Sequence, residues 1–330
     1  MRNKVKSTLR SCHRKLIKQV AIQARTNPKK FWAFVNSRTS YKNGIPELVI
    51  SKSDNSTNFT NGPSERAEVL AEYFASVFTT ENDNNDVFSL ILPKTGGPII
   101  EQIAFTSEEV FKKFINLNVG KSPGPDAIHP RVLREIAAEI SELLSEIFNT
   151  SMQEGKIPND WKLADITALF KKGEKNLPEN YRPISLTCVV CKIMERLICD
   201  KLEEHLKCNN MLSKKQFGFI KGRSTSLQLL KIMDDWTEAI EMGYEVDIIY
   251  TDFQKAFDSV PHKRLIYKLT SFGITGNVLN WIGDFLSERK QRVKIKGYAS
   301  EWINVSSGVP QGSVLALWVP YFLFFILMIS

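Results

Sequence analysis

The chain has 330 residues, 43% of them hydrophobic, enough to bury a sizeable core and to form two domains or subdomains. Its 44 Lys and Arg residues outnumber 36 Asp and Glu residues, and this formal charge of +8 favours a polyanionic partner, nucleic acid before an anionic membrane. Five cysteines, an odd number, argue against a disulfide framework.

The first 46 residues carry no acidic side chain, and the first acid of the chain is Glu47. Their Lys and Arg residues recur at near-helical spacing, which predicts a basic helix. Such a helix fits a solvated surface, a mitochondrial transit peptide, or an arm that lies on phosphates. It runs directly into "NPKKFWAFVNSRTS", a structured-looking stretch that disfavours the transit peptide. With no secretory signal peptide, we expect an intracellular protein of cytoplasm and nucleus that is not secreted.

The middle of the chain mixes helices and strands without a βαβ order, which predicts an α+β fold. Residues 51–64 are rich in Asn and Ser and predict a polar linker, followed by a helix. Thr106 and Glu109 have the spacing of a capping box, and residues 131–155 predict one long amphipathic helix. "ADITALF" and "RPISL" predict two strands joined by a basic loop, which is either a solvated hairpin or a functional one.

Four cysteines suggest a zinc site, namely Cys188, Cys191, Cys199 and Cys208. The first three alternate with Val, Ile and Leu on one predicted amphipathic helix, whereas structural zinc sites place a turn between paired cysteines. We therefore interpret them as buried small hydrophobic residues and expect no zinc.

The stretch "GFIKGRST" superficially resembles a P-loop. It has three residues rather than four between its glycines, and Arg223 stands where a P-loop has Lys, so we reject an NTPase. What is left is a flexible basic loop suited to backbone phosphates.

The stretch "EVDIIYTDF", which contains the apolar run "VDIIY", predicts a buried strand with Asp252 at its tip. A carboxylate at the tip of a buried strand is how two-metal sites hold Mg²⁺, so we favour a functional role for Asp252. Asp258 precedes a predicted helix and is interpreted as its cap. Further on, two helices, two strands and the tight loop "GVPQGS" are predicted.

The last residues, "LALWVPYFLFFILMIS", form a continuous apolar run. This run is shorter than the ~20 residues of a membrane span and is interrupted by Pro320, so we expect no membrane partner.

Five stretches in this order resemble the reverse transcriptases of non-LTR (LINE-type) retrotransposons, most closely the Jockey-like clade. They are "KSPGPD" (121–126), "NYRPISL" (180–186), "QFGFIKGRST" (216–225), "YTDFQKAFDSV" (250–260) and "SGVPQGSVL" (307–315). The resemblance implies an α+β right-hand polymerase of fingers, palm and thumb. Its chemistry would be two-metal nucleotidyl transfer with Mg²⁺, or Mn²⁺ in its place, on an RNA template, a DNA primer and deoxynucleoside triphosphates.

The resemblance also implies roles for single residues. Asp252 matches the first palm aspartate, the catalytic metal ligand, and the backbone carbonyl of Phe253 would be a second ligand. Phe257 matches the aromatic gate that excludes a ribose 2′-hydroxyl. The remaining matches are Lys171 and Arg182 on the triphosphate, Gln311 and Gly312 on the nucleotide and template base, and Lys221, Gly222 and Arg223 along the template.

The same resemblance divides the chain. Residues 1–100 would be a basic helical connector, 101–245 the fingers, and 246–330 an incomplete palm with an aberrant apolar tail at 316–330 and no thumb. Only eighteen residues follow Gly312 and none is acidic, so the second pair of palm aspartates is missing. We therefore expect a truncated fragment that binds metal weakly and is inactive as this polypeptide. The alternative is a non-catalytic RNA- or DNA-binding remnant.

The apolar tail itself suggests a shift of reading frame near Leu315–Leu317. Read one frame over, the codons of Trp318 and Val319 force Gly, and those of Met328 and Ile329 force Asp, at the family's spacing. We expect the alternate frame to continue towards the missing aspartates.

Overall fold

The computed structural model describes residues 2–22, 24–25, 28–36, 44–53, 56–81, 97–213, 215–218, 220, 222–252 and 255–317. Lys221, Phe253 and the tail from residue 318, for which roles or an origin are predicted above, lie outside these residues. The chain divides into two compact units, Met1–Pro46 and Glu47–Ser330.

The described helices of the first unit are α1 (Arg2–Ile22) and α2 (Pro28–Asn36), and they pack against each other. α1 is the basic helix that the sequence predicts. It has no acidic residue in its first turn and no basic residue in its last turn.

The second unit is a mixed α+β structure, as predicted. Its described helices are α3 (Pro63–Ser76), α4 (Ser107–Ile115), α5 (Pro130–Glu135), α6 (Ala137–Glu154), α7 (Val189–Cys208), α8 (Thr225–Glu241), α9 (His262–Ser271) and α10 (Gly276–Leu286). Its described strands are β1 (Val49–Ser53), β2 (Ser56–Phe59), β3 (Leu163–Phe170), β4 (Tyr181–Leu186), β5 (Lys290–Ile295), β6 (Tyr298–Ala299) and β7 (Ile303–Asn304).

The main sheet has the order β4-β3-β5-β6, with β7 also paired to β5. The hairpin predicted from "ADITALF" and "RPISL" is confirmed, because β3 and β4 pair antiparallel with Leu169 opposite Arg182. β3 and β5 pair in parallel, and the chain between β4 and β5 contains α7 to α10. β4 is the outer strand at one edge of this sheet. α3 packs against β5.

Local sequence accounts for several helix boundaries. The predicted capping box is confirmed at α4, where the Thr106 hydroxyl accepts from the Glu109 N–H and the Glu109 carboxylate accepts from the Thr106 N–H. α6 ends at Gly155 in the left-handed conformation that glycine adopts without strain. The single helix predicted over residues 131–155 is wrong, because the chain leaves helical geometry at Ile136 and forms α5 and α6.

The core of the second unit lies among α4, α6, α7 and α10 and contains Phe114, Phe148 and Trp281, all fully buried. Three cysteines of the stretch before and along α7 are buried in it, namely Cys188, Cys191 and Cys199. Burial raises the pKa of the Cys188 thiol to about 12 and those of the other two well above the usual value, so the thiols stay protonated. They pack as small hydrophobic residues.

The polar stretch 51–64, predicted as a linker, instead contains β2, part of β1 and the start of α3. The β1–β2 hairpin is closed at its base by Leu48 and Thr60, which exchange backbone and hydroxyl hydrogen bonds of 2.9 Å. Because both residues are buried, these paired polar groups hold the hairpin against the unit.

The prediction of a buried strand over "EVDIIYTDF" is wrong for its described residues, 245–252. They form no strand, and the side chains of Ile249 and Tyr250 are 87% and 84% exposed. A β-branched run becomes a strand only when a neighbouring strand satisfies its backbone, and none of the described strands pairs with this segment. Among the helices within the described ranges, none combines the length and apolarity that a membrane crossing needs.

Candidate functional site

Two loops that lie far apart in the sequence pack on each other, the turn "KAFDSV" at 255–260 and the loop "SGVPQG" at 307–312. The Val309 N–H donates to the Phe257 carbonyl at 2.8 Å. The Ser307 hydroxyl donates to the Asp258 carbonyl, also at 2.8 Å. Phe257 is half-buried and packs against the core. We call this contact the loop junction.

The approach of the two loops requires glycine. Gly308 has φ +81°, its N–H donates to Val260, and a Cβ on it would lie 2.5 Å from the Phe257 carbonyl oxygen. Gly312 has φ +123°, and a Cβ there would lie 2.6 Å from the Ser185 carbonyl oxygen. A residue other than glycine at either position would strain the backbone, because of the positive φ, and its Cβ would collide with the facing carbonyl oxygen.

A carboxylate and an amide join the side chains of the loop junction. Gln311 Nε2 donates to the two carboxylate oxygens of Asp258, at 3.2 and 3.1 Å. Burial raises the pKa of Asp258 to about 6, although the Gln311 hydrogen bonds and the charge of Lys255 act in the opposite direction. An ionised carboxylate only accepts hydrogen bonds, so the amide nitrogen of Gln311 faces Asp258 and its Oε1 faces away. The contact therefore fixes the orientation of the Gln311 amide.

The loop junction is seated on the edge of the main sheet. The Ser185 N–H, on the outer strand β4, donates to the Gln311 carbonyl at 2.7 Å. Pro183 and Ser185 line a space with Asp258 and Gln311 whose volume is about 20 Å³. This is room for one water molecule, so the arrangement is a packed junction and its outer rim is the surface that a larger molecule can contact.

The segment that follows α3 braces the same turn. The Thr79 N–H donates to the Ser307 hydroxyl at 2.7 Å, and Lys255 Nζ lies 2.7 Å from the Tyr73 hydroxyl. Asp258 does not cap α9, which corrects the prediction. Glu81 takes that place, because its carboxylate accepts from the backbone N–H of Lys263 at 3.1 Å.

A buried carboxylate holds the other end of the 307–312 loop. Glu195 lies in α7 with none of its surface exposed, and it accepts from the N–H groups of Val314 at 2.6 Å and Leu315 at 3.1 Å. Burial raises the pKa of Glu195, while these hydrogen bonds and the buried Arg289 act to lower it. The carboxylate thus fixes the chain two residues after Gly312.

Comparison with known proteins decides the family. Residues 170–323 match the family model of "Reverse transcriptase (RNA-dependent DNA polymerase)". The chain is 35% identical over 213 residues to the RNA-directed DNA polymerase from mobile element jockey of Drosophila melanogaster, covering 64% of this chain and 23% of that protein. Residues 170–323 are a reverse transcriptase domain of the non-LTR retrotransposon type.

Other relatives agree. The chain is 30% identical over 258 residues to the probable RNA-directed DNA polymerase from transposon BS of Drosophila melanogaster, covering 76% of this chain and 28% of that protein. It is 27% identical over 263 residues to the probable RNA-directed DNA polymerase from transposon X-element of the same species, covering 76% and 28%. The chain therefore spans about a quarter of the length of the curated relatives it matches.

Of the residues with predicted roles, the structure of the reverse transcriptase domain brings Phe257, Gln311 and Gly312 together in the loop junction. Asp252 does not lie at the tip of a buried strand but is exposed after the irregular segment 245–251. It is not among the residues that line the junction.

Both basic residues predicted to contact a triphosphate lie on the β3–β4 hairpin and are exposed. Lys171 follows β3 and donates its N–H to the Asn180 carbonyl at 2.8 Å, while Arg182 lies within β4. Neighbouring strand residues point to opposite faces, so Arg182 lies on the face of β4 opposite to Pro183. The hairpin thus offers one positive side chain at its tip, Lys171, and a second, Arg182, on the face of β4 that is turned away from the loop junction.

The predicted template loop folds partly on itself. Arg223 donates to the backbone carbonyls of Ser213 and Gln216, and its guanidinium lies 5.4 Å from the centre of the Phe217 ring. Gly222 adopts φ +85° with nothing within 4 Å of where a Cβ would lie. Arg223 therefore ties together the described residues Ser213, Gln216 and Phe217 of this region, and Gly222 faces open space.

Asp258 and Glu195 are the functional candidates that the sequence analysis missed. Asp258 was assigned to a local cap, because its partner Gln311 is 53 positions away and no local pattern links them. For Glu195 a signal exists, since it stands four residues from both Cys191 and Cys199 and therefore on the apolar face of the predicted helix. A lone acid on an apolar face indicates a buried polar contact.

Proposed function

We propose that this domain carries the nucleotide-contacting surface of a right-hand RNA-directed DNA polymerase, with β3 and β4 as its fingers hairpin. The observation that supports this most is the loop junction. It joins Phe257 to Gln311 and Gly312, and the resemblance assigns all three to one substrate, the incoming deoxynucleotide. Segments with unrelated roles have no reason to share a carboxylate–amide contact and two glycine-dependent approaches.

In this proposal the rim of the loop junction receives the sugar and base. The Phe257 ring excludes a 2′-hydroxyl, and Gln311, held by Asp258, presents Oε1 outward. Lys171, at the tip of the hairpin, supplies fixed positive charge to the triphosphate, whereas Arg182 lies on the face of β4 turned away from the loop junction. RNA template, DNA primer and deoxynucleoside triphosphates are the proposed partners.

Reverse transcriptases generally use divalent metal ions, and Asp252 is the residue we propose for Mg²⁺ or Mn²⁺. Among the described residues, no three His, Cys, Asp or Glu side chains converge in a way that could hold a metal ion. The described residues do not fit a two-ion site, because two ions need several carboxylates and Asp252 alone provides one. We therefore derive no step through the metal.

The proposal is tested by nucleotide-dependent retention of primer–template. Fluorescence anisotropy of a labelled RNA–DNA primer–template is measured with this chain and each of the four deoxynucleotides in turn. The complementary nucleotide should tighten binding by about tenfold, or 1.4 kcal/mol, and the other three should not. The Gln311→Ala variant should lose this response, whereas Gln153→Ala, at an exposed glutamine of α6, should keep it. An equal response to all four nucleotides, or an unchanged one in Gln311→Ala, would contradict the proposal.

A further inference from the structure

The net positive charge of the chain comes from the first unit. Residues 1–46 contain 12 of the 44 Lys and Arg residues and none of the 36 acids, which leaves 32 basic against 36 acidic residues in the second unit. The unit that contains the reverse transcriptase domain thus has a formal charge of −4, and the first unit has +12. A domain of negative charge gains little from long-range attraction to phosphates.

Within the first unit the charge follows a regular row along α1. The residues at every fourth position are basic, namely Arg2, Lys6, Arg10, Arg14 and Lys18. In a helix this spacing places one positive residue about every 6 Å along a single ridge. Like charges at this spacing disfavour an isolated helix, and the row contains four such pairs in succession.

The N-terminal end of α1 adds to this repulsion. Arg2 and Lys4 stand at the positive end of the helix dipole, and no acid compensates them in the first turn. A polyanion that lies along the ridge relieves both the repulsion within the basic row and the repulsion at the helix end, because its negative charges neutralise the two together.

The composition of α1 distinguishes nucleic acid from a membrane. Helices that lie on membranes present a broad apolar face with aromatic residues, and α1 contains no Phe, Trp or Tyr. Among its apolar side chains that the structure describes, Val20 is buried, with 4% of its surface exposed, and Leu16, Ile17 and Ile22 are exposed without an aromatic residue beside them on the helix. Arg14, Lys15 and Lys18 of α1 are exposed, as is Arg25, three residues after the helix ends.

We propose that α1 is the nucleic-acid-binding arm of this chain and supplies most of the salt-dependent affinity for the RNA backbone. This rests on the proposed function only in that the domain has an RNA partner. α1 contacts phosphates without regard to sequence, and the second unit contacts the nucleotide and template base.

The test compares two variants of the full chain with equal loss of charge. The arm variant replaces four exposed basic residues of the first unit by Gln: Arg14, Lys15, Lys18 and Arg25. The control variant replaces four exposed basic residues of the second unit by Gln: Arg131, Lys156, Arg196 and Lys296. Gln preserves helix propensity, and circular dichroism confirms that α1 keeps its helix content in both variants.

Binding of a single-stranded RNA without primer or nucleotide is measured between about 50 and 200 mM salt. The arm variant should reduce the slope of log affinity against log salt by about 2 to 3, since each lost phosphate contact contributes about 0.7. The control variant should keep the slope of the unmodified chain, as should a variant in which the four arm residues are exchanged between Lys and Arg. Equal slopes in the arm and control variants would overturn the proposal.

A membrane role has its own outcome. If the arm variant loses binding to phosphatidylserine-containing vesicles while its RNA slope stays unchanged, α1 binds lipid and the proposal is overturned. These outcomes do not depend on the nucleotide assay, because no deoxynucleotide is present. Loss of nucleotide discrimination with an intact RNA slope would contradict the proposed function alone.

Discussion

The pH dependence of stability should reveal Asp258, the partly buried carboxylate of the loop junction. Burial raises the pKa of Asp258 from 3.8 in a free aspartate to about 6 in the folded chain. The folded state therefore favours the protonated form. Its contribution to stability is fully present below pH 3.8 and is lost as the pH rises through 6.

The magnitude follows from the two pKa values. A difference of about 2.2 at 1.36 kcal/mol per pKa unit gives about 3 kcal/mol. Roughly half of that loss has occurred by pH 5, and the remainder is complete by about pH 8. Asp258→Asn keeps an acceptor for the Gln311 amide but cannot ionise. The unfolding free energy of this variant should therefore lack the pH-dependent loss that Asp258 causes.

Urea unfolding of both proteins, followed by tryptophan fluorescence, measures the effect. Trp281 lies in the core of the second unit and reports its unfolding. The unfolding free energy of the unmodified chain should fall relative to Asp258→Asn by about 1.5 kcal/mol between pH 5 and pH 8. Parallel pH profiles, or a relative gain with rising pH, would show that the loop junction does not favour the protonated form of Asp258.

Further predictions concern the same region. Gly312→Ala should destabilise the chain by more than Gly297→Ala, because both have positive φ but only Gly312 faces a carbonyl oxygen at 2.6 Å; equal losses in thermal unfolding would contradict the contact. Glu195→Ala should cost at least about 2 kcal/mol in urea unfolding and Glu195→Gln less, because Ala leaves two buried N–H groups unpaired. A polypeptide limited to these 330 residues should not extend a primer with Mg²⁺ and deoxynucleotides, since no acid follows Gly312; extension that Asp252→Ala abolishes would refute this.

Local signals in the sequence predicted local structure well. The Thr106–Glu109 capping box, the β3–β4 hairpin and the cysteine-bearing helix α7 each depend on residues within a few turns of one another. Each was predicted from spacing and residue type alone.

Contacts between distant segments were not predictable in the same way. The apolar run before Asp252 has every local mark of a strand, yet a strand also needs a neighbour to pair with, and local sequence does not specify one. The cap of α9 comes from Glu81, 182 positions before Lys263, and was wrongly assigned to Asp258. For the candidate site, the sequence identified the two loops through the family resemblance, and the structure added the carboxylate that joins them.

The most direct test of the nucleotide-contacting surface is photocrosslinking. A photoreactive deoxynucleotide complementary to the next template base is irradiated in complex with primer–template and this chain, and the labelled peptides are identified by mass spectrometry. We expect template-dependent label in 307–315, together with label on β4 between Tyr181 and Leu186. Label confined to segments away from the loop junction, such as α8, or label that ignores the template base, would contradict the proposed function.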